Sequence, residues 1–322
     1  MDMVHSPKLA PQLFETPDNP APNNAIFQTI VTADKVELRA MSAPPTTKHV
    51  RGTVVLLNGR ADYVERYFET MGELQRRGFH VVAFDWRGQG ASDRLIGDRL
   101  RGFVRRFSQF DEDLRSVMEK LVLPTCPAPY LALGHSTGGH ILLRNVFGKT
   151  WFTRAICTSP LLGFQYGAWP KSVAFFLATA GTALGFGRMY LPGYAHGPFL
   201  LRGFPNNPLT SDERRWDRDK RTLEMQSKLG VGGPTFAWFF AALASLDKLN
   251  REKRRAGPSC PVLLITAGRD RVVDTKATQD FANSVPGITQ VMIRDSLHEI
   301  LIERDSIRIE FWAAFDSYIS ST

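Results

Sequence analysis

An apolar run that ends in glycine and passes at once into a small, polar, helix-starting segment limits this chain to few folds. Residues 130–134 read YLALG, and His135-Ser136-Thr137-Gly138-Gly139 follows with no spacer. On so tight a strand-to-helix turn the serine hydroxyl stands exposed at the end of a sheet. The flanking positions must be glycine, because backbone and neighbouring strand leave no room for a side chain. The pattern alone is weak, and its context decides. Here a strand runs in at 130–134 and a helix runs out over 137–147, which is the setting the motif requires.

The rest of the chain repeats that alternation. Apolar runs at 27–32, 36–41, 53–57, 80–85 and 154–159 predict strands. Helical spacing over 63–77 stops at Gly78, and Ser108 precedes a helical stretch to Val122 with Asp111 placed as a capping-box acid. Strands and helices in turn predict a mostly parallel sheet with helices on both faces. From Pro160 to about Leu249 the alternation stops: aromatics, glycines and helical patches occur without a strand. It resumes with a strand at 262–268, a helix to Val285, a strand at 289–295 and a last helix from about Asp305. The expected organisation is an N-terminal arm (1–24), a core (25–159 and 250–322) and an insertion (160–249).

Size and charge narrow the functional classes. A length of 322 residues with 43% hydrophobic content suits one large α/β domain carrying an insertion. The net charge of +8 attracts anionic partners of any kind, but no basic block with interleaved aromatics and no zinc-finger spacing is present, so no nucleic-acid partner is expected. Cys126, Cys157 and Cys260 are odd in number and far apart, which predicts buried reduced thiols and no metal cluster. The first twenty residues lack signal-peptide features, and the uncharged stretch 173–187 is shorter than the ~20 residues of a membrane span. The expectation is a cytoplasmic protein with peripheral contact at the inner, anionic membrane face.

A serine hydroxyl is a poor nucleophile until a base takes its proton. Of seven histidines, His298 in SLHEIL follows the last strand and precedes the last helix. His135 is held on the turn itself, and His140 starts the wrong helical face. An acid that orients the imidazole belongs after the preceding strand. Asp270 in AGRD is placed there, with Asp274 in RVVD as its rival four residues on. The developing oxyanion needs two backbone N–H groups. Thr137, directly after the serine, supplies one, and Arg60 in the loop Asn58-Gly59-Arg60 supplies the other.

The segments LLNGRADYVERY, DWRGQGASDR, GHSTGGH, VGGPTFAWF, RVVD and LHEILIERD, spread from about residue 50 to 310, together resemble the bacterial lysophospholipase and monoacylglycerol-lipase branch of the α/β-hydrolases. The resemblance implies the α/β-hydrolase fold, with 160–249 as a cap that shapes an acyl pocket. It maps nucleophile, acid and base onto Ser136, Asp270 and His298. Many relatives carry His-Gly where this chain has Asn58-Gly59, a change that keeps the backbone donors. Asp85 and Arg87 are expected to brace loops, and the basic runs 251–255, 214–215 and 105–106 to be solvated faces. The implied reaction is cleavage of a lipid or small carboxylic ester through an acyl-serine, with no cofactor. A peptidase or a general carboxylesterase of the same fold and a non-catalytic ligand-binding scaffold are the alternatives; an epoxide hydrolase or dehalogenase would carry aspartate in place of Ser136.

Overall fold

Strands buried on both faces need apolar residues at every position, and β3 (Gly52–Leu57) and β7 (Val262–Ala267) are buried throughout. In the computed structural model, which describes residues 14–148, 150–165, 171–194, 196–253 and 256–320, they lie inside an eight-stranded sheet. The others are β1 (Ile26–Val31), β2 (Glu37–Ala43), β4 (Phe79–Phe84), β5 (Tyr130–His135), β6 (Arg154–Thr158) and β8 (Ile288–Ile293). The order is β1-β2-β4-β3-β5-β6-β7-β8, antiparallel at β1, β2 and β4 and parallel from there on. Only the edge strands β1 and β8 are largely open to solvent.

Alternate residues of β3 feed two separate cores. Val55 and Leu57 join the helices Ser108–Val117, Thr137–Val146 and Thr275–Ser284 on one face. Val54 and Leu56 join Phe68–Arg76 and Asp305–Ser320 on the other. Between β6 and β7 the chain carries the helices Lys171–Ala183, Glu213–Met225 and Phe236–Glu252, with no strand among the described residues. Cys126, Cys157 and Cys260 are buried and unpaired. No helix among the described residues is long and apolar enough to cross a membrane.

Three local expectations need correction. Ser108 does not cap its helix: it lies inside it, and Phe107 at the N-cap makes no side-chain cap bond. Gln109 Oε1 instead accepts from the Arg105 and Arg106 amides, at 3.0 and 3.3 Å, and Asp111 pairs with Arg144. The helix expected from Tyr63 begins as a 3-10 turn, Val64–Tyr67, whose opening amide, Val64 N–H, donates to Asp85 Oδ1 at 2.9 Å. Arg215 is no solvated charge: it is buried against Glu69, Asp212 and Asp305. Arg105 and Arg106 are exposed as expected. Residues 1–13 of the arm, Tyr166 and Trp169 of the insertion, and Arg254 and Arg255 of the basic run lie outside the described residues.

Candidate active site

The glycines of the 134–139 motif are there for space. A Cβ on Gly134 would stand 2.8 Å from the Gly139 Cα, and one on Gly138 would overlap the Leu57 carbonyl and stand 2.5 Å from that of Asn58. With both places empty, β5 turns directly into the helix Thr137–Val146, and Ser136 is held at φ 51°, ψ −114°. A non-glycine residue keeps such a conformation only where its surroundings enforce it.

Three of the residues expected from the sequence come together. Ser136 Oγ lies 3.0 Å from His298 Nε2, and His298 Nδ1 lies 2.7 Å from Asp270 Oδ2. Asp270 Oδ1 accepts from the amides of Val272 and Val273 at 2.8 and 3.0 Å, which fixes the carboxylate. Asp274 is elsewhere: it caps the helix Thr275–Ser284, accepting from the Ala277 amide at 3.2 Å. Burial opposes the charge on His298, yet Asp270 beside it holds the imidazole pKa above its ordinary value. Burial likewise works against the Asp270 carboxylate, but His298 and the two amides hold it below the usual range. His135 and His140 are pushed down to about 3, chiefly by burial. They bond to Thr158 Oγ1 and Ser245 Oγ and are structural.

The loop after β3 is tied from both sides. The Gly59 amide donates to Asp62 Oδ2 at 2.8 Å and the Ala61 amide to Gln89 Oε1 at 3.1 Å. Gln89 Nε2 donates back to the Gly59 carbonyl, and Trp86 Nε1 donates to the carbonyl of Asn58 at 2.9 Å. The Arg60 amide between them has no acceptor among the described residues. Thr137 opens its helix, where the first amides have no intrahelical partner. Asp85 braces this region, taking Arg39, Val64 and Ala91, while Arg87 joins Asp113 to Asp34.

Sequence reasoning missed a buried hub. Arg66 pairs with Asp62 on the Arg60 loop, with Asp219 of the helix Glu213–Met225, and with Glu299 beside His298. Burial disfavours its charge, but the three carboxylates hold the guanidinium protonated. The only signal was the acid and base spacing within RADYVER, which also reads as an ordinary helix surface.

Ser136, Thr137, His298 and Arg60 line one cavity of about 460 Å³. Its apolar wall includes Leu161, Phe164, Trp238, Phe239, Val272 and Val273. Trp238 and Phe239 come from the first turn of Phe236–Glu252, which Thr235 caps. A base within reach of a hydroxyl, an acid behind the base and amides beside both can support acyl transfer.

Strand order, connection and the β5 turn define an α/β-hydrolase. Residues 48–305 match the family described as Serine aminopeptidase, S33, and the chain belongs to that family. Lysophospholipase L2 of Escherichia coli is 30% identical over 274 residues, which cover 81% of this chain and 78% of that protein. Monoacylglycerol lipase of Mycolicibacterium smegmatis is 24% identical over 266 residues, covering 79% and 86%. Among solved structures, a soluble variant of monoglyceride lipase from Saccharomyces cerevisiae superposes with a TM-score of 0.72. That match covers 96% of this chain and 98% of the other at 19% identity, a likeness of fold.

Proposed function

We propose that this chain is a serine hydrolase that cleaves carboxylic esters of single-chain lipids, lysophospholipids or monoacylglycerols, through an acyl-Ser136 intermediate. The observation that carries the reading is the hydrogen-bonded line Ser136–His298–Asp270 in the wall of an apolar cavity. His298 Nε2 takes the Oγ proton as Oγ attacks the ester carbon, and Asp270 keeps Nδ1 protonated and stabilises the imidazolium. The tetrahedral oxyanion lies against the Thr137 and Arg60 amides. His298 then gives its proton to the departing alcohol, and water, activated by the same ring, releases the acid. Residues 160–249 act as the cap, and its aromatics form the acyl wall, where each buried methylene contributes ~0.8 kcal/mol. The names of the E. coli and M. smegmatis relatives favour lipid esters.

A fluorophosphonate label mapped to its peptide, followed by p-nitrophenyl esters of rising chain length beside monoacylglycerol and lysophosphatidyl substrates, tests this. Label on Ser136 and a kcat/KM that rises from acetyl towards medium and long acyl chains are expected. Faster cleavage of aminoacyl amides than of any lipid ester would move the chain to a peptidase, in keeping with the description its family carries.

A further inference from the structure

Burying a guanidinium is costly unless carboxylates meet it, and this chain mostly obeys. Arg39 has Glu65 and Asp85, Arg66 has three acids, Arg87 has Asp34 and Asp113, and Arg308 has Glu69 and Glu73. Arg60, half-buried at the cavity, has no such partner among the described residues. Its Nη1 and Nη2 both donate to the Gly232 carbonyl at 2.9 Å, and the group lies 5.4 Å from the Trp238 ring centroid. Among the described residues no carboxylate oxygen comes within 4.0 Å of it. Burial lowers its pKa to about 10, so it remains charged at neutrality. Arg94 is the informative contrast. It is more deeply buried and also lacks a carboxylate among the described residues, but three backbone carbonyls satisfy it and it does not line the cavity.

Arg60 lines the cavity that holds Ser136, and so do Arg202 and Arg271, both exposed to solvent. Arg271 donates to the Asn207 carbonyl and Arg202 lies over Phe199; neither meets a carboxylate among the described residues. The cavity's two acids, Asp62 and Glu299, are already committed to Arg66. The site therefore offers three guanidinium groups with no carboxylate in ion-pair contact among the described residues, and a guanidinium fork matches phosphate oxygens.

We propose that Arg60, assisted by Arg271 and Arg202, binds the phosphate on the leaving alcohol and makes the site selective for acyl esters of phosphorylated glycerol over uncharged monoacylglycerols. The proposal rests on the ester-hydrolase reading above. Reach agrees with it. The Arg60 amide is assigned to the oxyanion, and its guanidinium lies five bonds from its own Cα. In a glycerol ester the phosphorus lies six bonds from the acyl carbon, a similar span of roughly 6–7 Å.

The test compares kcat/KM for a lysophosphatidyl ester and a monoacylglycerol of the same acyl chain in wild type, Arg60→Gln, Arg60→Lys and Arg271→Gln. A wild-type preference for the phosphorylated ester is expected. It should fall at least tenfold in Arg60→Gln, mainly through KM, return in part in Arg60→Lys, and fall less in Arg271→Gln. A wild-type preference for the uncharged ester, or an unchanged ratio in Arg60→Gln however far both rates fall, overturns the proposal and leaves Arg60 a strut to Gly232. A binding arm in the Ser136→Ala protein uses monomeric decyl phosphate and decanol by calorimetry. Decyl phosphate should bind more tightly, and adding Arg60→Gln should cut that advantage at least tenfold; equal binding of the two ligands also overturns it. If folded wild type cleaves no ester at all, the ester-hydrolase reading fails, and the binding arm alone decides the phosphate site.

Discussion

Ser136 combines a strained backbone with a side chain hydrogen-bonded to His298, and the two separate by mutation. Ser136→Ala keeps the Cβ, so thermal unfolding should be unchanged while ester turnover falls by about 10⁴-fold or more. His298→Ala should be nearly as damaging. Asp270→Asn should cost far more than Asp274→Asn, since Asp274 only caps a helix; steady-state kinetics on one ester ranks the pair. Only the neutral imidazole is a base, and Asp270 holds the His298 pKa above its ordinary value. Activity should therefore rise with pH through that raised pKa. In Asp270→Asn the rise should move to lower pH while the plateau drops, and a pH profile of kcat/KM reads both. These three side chains were legible in the sequence because each follows a recognisable strand in a fixed chain order. Arg66 was not, because its partners Asp219 and Glu299 stand 153 and 233 residues away.

At the scale of elements, the turn from β5 into its helix depends on an absence of atoms. Gly138→Ala would drive a methyl group into the carbonyls that end β3, where nothing flexible can yield. A loss of about 3 kcal/mol is expected, visible as a lowered Tm by calorimetry. Arg66→Met should cost about 3–5 kcal/mol, because it leaves Asp62, Asp219 and Glu299 buried without their cation. Denaturant unfolding of the variant measures it. The core strands could be read to within about two residues, since β3 to β7 are short apolar runs bounded by turn residues. What the pattern could not show was tertiary competition for local groups. Gln109 takes the Arg105 and Arg106 amides ahead of its helix, and Asp85 takes the Val64 amide that opens the 3-10 turn.

For the whole molecule, a net charge of +8 meets an apolar surface in the stretch between β6 and β7, where Phe175, Phe176, Leu184 and Phe186 are exposed. Reversible association with anionic vesicles is expected, weakened by salt because exposed charges are screened beyond ~8 Å at physiological ionic strength. Co-sedimentation at low salt, high salt and in carbonate checks it; retention in carbonate would mean insertion. Composition predicted the charge, but only the fold shows that these side chains, on the helix Lys171–Ala183 and the turn after it, are exposed. The Arg66 hub carries a further consequence for the walls of the cavity. It moors the helix Glu213–Met225 to the loops bearing Arg60 and His298, so lifting that helix would strand buried charge. Among the described residues no ion pair fastens 171–194. Within that stretch Gly185 and Gly193 take φ of 89° and 84° with open space around them. Charge therefore fixes the Glu213–Met225 side of the cavity, whereas the 171–194 side is joined to its neighbours by packing and by backbone hydrogen bonds such as Leu191 to Pro234 and Phe236 to Met189.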